Sequence, residues 1–195
     1  MKTARPTLLA MALLGTFLLS TQVSAGTLAE ASARTESFLQ SNKPVKALNA
    51  FEVAQDALWN QIPLVLKAAT LVTNIKGFGE YEPKTSPVTS AGETLRIYVE
   101  PIGFQQRSQG EFYQIEMNAD LEVLNSSGQV LASVENFAAH NRSTRSRVHD
   151  YYLNFEVTVP TLKAGHYVLR LKVRDLVSGK SGTSSLAFVI EGAAE

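Results

Sequence analysis

"YQIEMNADLEVL", residues 113–124, decides the fold. Tyr113, Ile115, Met117, Ala119, Leu121 and Val123 alternate with Gln114, Glu116, Asn118, Asp120 and Glu122. A period of two belongs to an extended chain with one face in a core and the other in water, because successive side chains of a strand point to opposite sides. "NSSGQ" (125–129) then supplies turn residues before "VLASVENF" (130–137), so the two runs are read as a hairpin.

The alternation recurs on both sides of this segment. "TLRIYVEP" (94–101) sets Leu95, Ile97 and Val99 on one side, and "YYLNFEVTV" (151–159) does so with Tyr151, Leu153, Phe155, Val157 and Val159. "HYVLRLKV" (166–173) aligns Tyr167, Leu169, Leu171 and Val173, and "SSLAFVIE" (184–191) aligns Leu186, Phe188 and Ile190. With an opening strand in "ATLVTNIKGFGEY" (69–81), the pattern predicts about seven strands, each half exposed, over 63–195. The fold class expected is mainly β: an antiparallel sandwich of immunoglobulin-like or fibronectin type. In such an arrangement the third and sixth strands are neighbours. Glu116, Asp120 and Glu122 on one are therefore expected to meet Arg170, Lys172 and Arg174 on the other.

Ahead of the strands the period is that of a helix. "TLAEASARTESFLQ" (27–40) places Thr27 three residues before Glu30, a capping-box spacing, with Leu28, Ala31, Phe38 and Leu39 along one face. "SNKP" (41–44) interrupts the run, and Pro44 suits the first turn of a second helix, "PVKALNAFEVAQDALWNQ" (44–61), whose Ala47, Phe51, Ala54 and Leu58 share a face. A helical hairpin over 26–62 follows, with an apolar side that needs a partner and with Trp59 as its anchor on the sandwich.

Residues 1–25 read as a secretory signal peptide: Lys2 and Arg5, the apolar run Leu8–Leu19, then "STQVSA" ending in small residues near Ala25. The run is shorter than the ~20 apolar residues that cross a bilayer. A periplasmic or secreted protein, cleaved near Ala25 and not integral to the membrane, is expected. With no cysteine there is no disulfide framework, so stability rests on packing. Eighteen basic and eighteen acidic residues give no general footprint for nucleic acid, so charge-driven binding has to be local.

Chemistry is sparse. "GKSG" (179–182) echoes a phosphate-binding loop, but Arg174 stands where that motif needs glycine and a strand follows where it needs a helix, so the segment reads as a hairpin turn. The serine-hydrolase elbow, the zinc-protease helix motif and a cysteine nucleophile are all absent from the sequence. The three histidines, His140, His149 and His166, are scattered. No cofactor and no metal is implied. "KGFGEYEP" (76–83) and "VEPIGF" (99–104) gather aromatics at strand ends, read as caps of the core by Tyr81 and Phe104 or as one shallow groove for a peptide or glycan.

The richest polar stretch is "AHNRSTRSRVHDYY" (139–152), read as an exposed crossover between the sheets. Arg142, Arg145, Arg147 and His149 there are the candidate binding residues. Guanidinium forks grip phosphate or carboxylate, although Arg and Ser also serve simply to solubilise a crossing segment.

"GFGEYEP", "ETLRIYVEPIGF", "ADLEVLNSSGQVLAS" and "LKAGHYVLRLKVRDLVSGKSGTSSLAFVI", in this order after an Ala-rich helical lead, resemble an uncharacterised secreted bacterial family with an Ig-like β-sandwich. The resemblance covers about 65–191 and implies a fold and a compartment; it transfers no site residue. The function expected is a non-catalytic periplasmic or secreted module binding a protein or cell-envelope component. The rivals are a glycan- or small-anion-binding protein and a hydrolase whose site no motif reveals.

Overall fold

The structure is a computed structural model and describes residues 25–191. The segment read as a signal peptide lies outside the described residues, apart from Ala25.

Two helices come first, α1 (Ala25–Gln40) and α2 (Pro44–Gln61). α1 is already helical at Ala25, so Thr27 lies inside its first turn and does not cap it. Leu28, Ala29 and Glu30 are good helix formers, and the helix runs on ahead of them past the expected start. The turn between the helices is a Schellman closure. Asn42 adopts φ 54°, its N–H reaches the Leu39 carbonyl (3.0 Å), and the Lys43 N–H reaches that of Phe38 (2.8 Å). Pro44 then starts α2 without loss of a hydrogen bond. The buried residues of the two helices are small: Ala31 of α1 and Ala47, Ala54 and Ala57 of α2. Phe51 and Leu58, expected on one apolar face with Ala47 and Ala54, are about half exposed, while the two alanines of that face are buried.

The strands are β1 (Val65–Gly77), β2 (Glu80–Pro83), β3 (Val88–Thr89), β4 (Thr94–Ile102), β5 (Arg107–Gln109), β6 (Phe112–Asn125), β7 (Val130–Thr144), β8 (Leu153–Thr158), β9 (Gly165–Asp175) and β10 (Ser181–Ile190). One sheet runs β2-β1-β4-β8; the other runs β3-β10-β9-β6, with β7 on the far side of β6 and β5 extending the line of β9. The seven long strands are those read from the alternation, and their partition is that of a fibronectin-type sandwich. β2, β3 and β5 are short additions: the first run folds back on itself at Gly79 to make β2, and β3 joins β10 in a parallel pairing.

The core lies between the sheets. Leu95, Ile97 and Val99 with Leu153 and Phe155 meet Ile115, Met117, Leu169, Leu171 and Phe188. Phe104 closes one end, fully buried. Tyr81 does not cap the core. It stacks on Tyr98 (centroids 4.2 Å) on the outer face of the first sheet, with Tyr152 on Tyr98 as well (5.5 Å), and burial pushes the Tyr98 phenol up to about 12.

The expected charge ladder forms in part. Arg170 lies opposite Glu122 and bonds it at 3.0 Å, and Arg174 reaches diagonally to Asp120. Burial raises the Asp120 pKa, but the Asn136 N–H and Arg174 outweigh it and hold the carboxyl below its ordinary value. Glu116 departs from the expectation. β9 ends at Asp175, opposite Met117, so Glu116 has no β9 cation beside it and pairs with Arg107 of β5.

Candidate functional site

The crossover is shorter than its composition indicated. Residues 139–144 belong to β7, where His140 lies opposite Met117 and Arg142 opposite Ile115; only 145–152 pass between the sheets. β7 is the exposed edge strand, and an edge tolerates the polar residues that made this stretch look like loop.

Each of the three guanidiniums lies over an aromatic ring: Arg142 over Tyr151 (5.6 Å), Arg145 over Phe112 (4.9 Å) and Arg147 over Tyr113 (5.1 Å). Cation–π attraction and stem packing hold them against the rim of the sandwich. Arg145 also meets Glu111 at 3.2 Å, with both side chains largely in water. Arg147 and His149 turn toward the helices. Asp56 of α2 receives both, Arg147 Nε at 3.6 Å and His149 Nε2 at 3.1 Å. The His149 ring stands edge-on to Trp59 (4.7 Å), which in turn is edge-on to Phe104 (5.7 Å). Val148 is fastened by a reciprocal pair with Gln106: its N–H donates to Oε1 (3.1 Å) and its carbonyl accepts from Nε2 (2.7 Å).

A cleft of about 330 Å³ results, lined by Glu52, Gln55 and Asp56 of α2 and by Ser146, Arg147 and His149 of the crossover. Of the candidate residues, Arg147 and His149 come together here, while Arg142 and Arg145 stay on the sheet rim. The cleft is mixed in sign, and both Arg147 and His149 in it meet Asp56. A His–Asp pair is the orienting half of a catalytic triad, but the hydrogen bond made by Ser146 uses its main-chain carbonyl, accepting from Thr144 Oγ1 (2.8 Å). Among the described residues no three His, Cys, Asp or Glu side chains gather as metal ligands.

The residues that composition alone missed are Asp56 and Lys180. Lys180, in the turn read as "GKSG", inserts its ammonium among the last carbonyls of α2 and its exit, at 2.7 Å from Ile62 O, 3.1 Å from Asn60 O and 3.4 Å from Trp59 O, and at 3.0 Å from Gly103 O. Asp175 builds that turn, accepting from the main-chain N–H of Gln105 (2.8 Å) and of Val177 (3.0 Å) and from the Ser178 hydroxyl. A helix C-terminus followed by proline, as Ile62-Pro63 is, leaves carbonyls open for such a cation; that was the available signal.

Comparison by sequence with protein families and with curated proteins gives no match. Among solved structures the chain is similar to the PKD domain of an M14-like peptidase from a Thermoplasmatales archaeon, at 12% identity over 68% of this chain and 98% of that one, TM-score 0.35. It is also similar to the Paenibacillus cycloisomaltooligosaccharide glucanotransferase complexed with cycloisomaltoheptaose, at 9% identity over 68% of this chain and 15% of the enzyme, TM-score 0.36. The superoxide reductase (neelaredoxin) of Ignicoccus hospitalis matches at 11% identity over 55% and 77% of the two chains, TM-score 0.29.

Proposed function

We propose that this protein is a non-catalytic interaction module, exported to the periplasm or secreted, that binds another protein through its helical hairpin. One observation carries the reading. Leu39, Val45, Leu48, Phe51, Val53 and Leu58 of the hairpin are between 47% and 71% exposed, while the sandwich core is closed. Apolar side chains gathered on a two-helix appendage, remote from the core they might have joined, are the usual mark of a surface covered by a partner. Among the described residues no helix is long and apolar enough to cross a membrane.

In-cell crosslinking from a photoreactive residue at Phe51, read by mass spectrometry, tests this. A reproducible protein adduct that disappears when Leu48 and Leu58 are changed to Ser supports the reading. A protein that stays monomeric and captures nothing from this position overturns it.

A second reading, an anionic glycan or small anion held by Arg142, Arg145 and Arg147, is favoured by the three exposed guanidiniums lying over aromatic rings along one rim. Binding to an envelope glycan panel that survives alanine at all three positions excludes it.

A further inference from the structure

The hairpin carries a groove on one flank of its seam. Ala31 and Phe38 of α1 and Ala50 and Val53 of α2 line about 430 Å³ of apolar space, and Arg34 and Lys46 stand at its rims, one cation from each helix. Among the described residues no acidic side chain lines it. Glu30 approaches Arg34 only at 4.0 Å, with both side chains about 70% exposed, so the guanidinium remains available. Ala31 to Phe38 spans about 10 Å along the axis, room for two turns of a docked helix.

We propose that this groove binds an amphipathic helix of another protein whose apolar stripe is flanked by Asp or Glu. The proposal rests on the interaction-module reading and names the chemistry of the partner. Small floor residues let a third helix approach closely, with its i, i+3/i+4 and i+7 side chains seated between Phe38 and Val53. The basic rims then select acidic flanks. Two other occupants fit the charges poorly. A second copy docked groove to groove brings Arg34 and Lys46 against the same residues of its mate. The chain's own first 24 residues carry Lys2 and Arg5 and no carboxylate.

The test uses the purified protein, isotopically labelled, and two synthetic helical peptides with one Leu/Ala stripe, flanked by Glu in the first and by Lys in the second. The expected result is shifted amide resonances over 31–38 and 46–53 with the acidic peptide, bound at least ~fivefold more tightly than its basic twin at low salt. The preference inverts in the doubly substituted R34E/K46E protein, whose changes are on the surface and leave the fold intact. Equal binding of the twins, or no shifts with either at millimolar peptide, overturns the proposal. So does self-association that Val53→Asp abolishes, which gives the groove to a second copy, or a stronger response to phosphatidylglycerol vesicles, which gives it to lipid. If Phe51 still captures a partner while the peptides fail, the groove assignment falls alone; if neither gives a signal, the interaction reading falls with it.

Discussion

Lys180→Met is the sharpest perturbation of the junction between hairpin and sandwich. Methionine keeps the length and much of the apolar packing of the lysine stem and removes every donor. An ammonium has three N–H groups, so the three shortest contacts, to Ile62, Gly103 and Asn60, are those it satisfies together. A hydrogen bond to a charged group is worth about 1.5–3 kcal/mol net, and a part-buried carbonyl left bare costs about 1–3 kcal/mol. Against this stands desolvation, which lowers the Lys180 pKa and is partly offset by the nearby Asp175. Taking one strong bond fully and the others as partly replaced by water gives a loss of about 2–4 kcal/mol. For a chain of this size that corresponds to a fall in Tm of roughly 5–12 °C.

The location of the loss matters more than its total. Lys180 ties the last turn of α2 to the β9–β10 turn and to Gly103, so hydrogen exchange should accelerate first in α2 around 54–61 while β6 and β9 keep their protection. Thermal melting gives the magnitude and exchange mass spectrometry the place. A variant that melts within about 1 °C of the parent and exchanges its hairpin at the same rate refutes the assignment of Lys180 as the clasp.

Two further outcomes are expected. A Cβ on Gly182 would stand 2.6 Å from the Leu64 carbonyl oxygen, so Gly182→Ala should cost about 2 kcal/mol or more in urea unfolding, whereas Gly92→Ala, with positive φ and open space around it, should cost only about 1 kcal/mol. Burial holds the His140 pKa below 6.5 against Phe155, so the unfolded chain binds the proton first as pH falls. The stability this histidine contributes is complete above pH 6.5 and is lost as pH drops through its folded pKa. The urea midpoint should therefore fall between about pH 7.5 and about pH 5, and fall less in His140→Phe; an identical fall in that variant removes His140 as the cause.

Where side chains alternate into a closed core, the pattern was open to reading: β8, β9 and β10 bury the residues assigned to the inside, and β6 buries all of its own but Tyr113, which is half-buried. β7 was half hidden for two physical reasons. It lies at an edge, where even its core-side residues are largely exposed, and Asn136 (φ 51°) sits in a bulge that interrupts the alternation. Val134 lies opposite Leu121 before the bulge, and Ala138 lies opposite Ala119 after it, so three residues, 135–137, stand against Asp120 alone and the alternation is interrupted there, although the same face resumes beyond it. The bulge is locked by Asp120, which accepts the Asn136 N–H at 2.8 Å, and by Arg174, which donates to the Asn136 side chain at 2.6 Å. The aspartate and arginine read only as a charge pair thus also shape the edge, and a kinked edge resists pairing with another strand.

The arginine crossover was visible as a cluster, but its partners were not. Asp56 lies 93 residues before His149, and nothing local in either segment announces the pair. Once the pair is placed, the crossover acquires a mechanical consequence. Asp56 fixes α2 on one side through His149 and Arg147, and Lys180 fixes its end from the opposite turn. Both attachments lie at or beyond position 56. The half of α2 that carries Lys46, Ala50 and Val53, with α1 beside it, is therefore held out from the sandwich by ties that do not touch the groove. A helix docking there meets a surface whose orientation is already set, and needs no rearrangement of the sandwich to be bound.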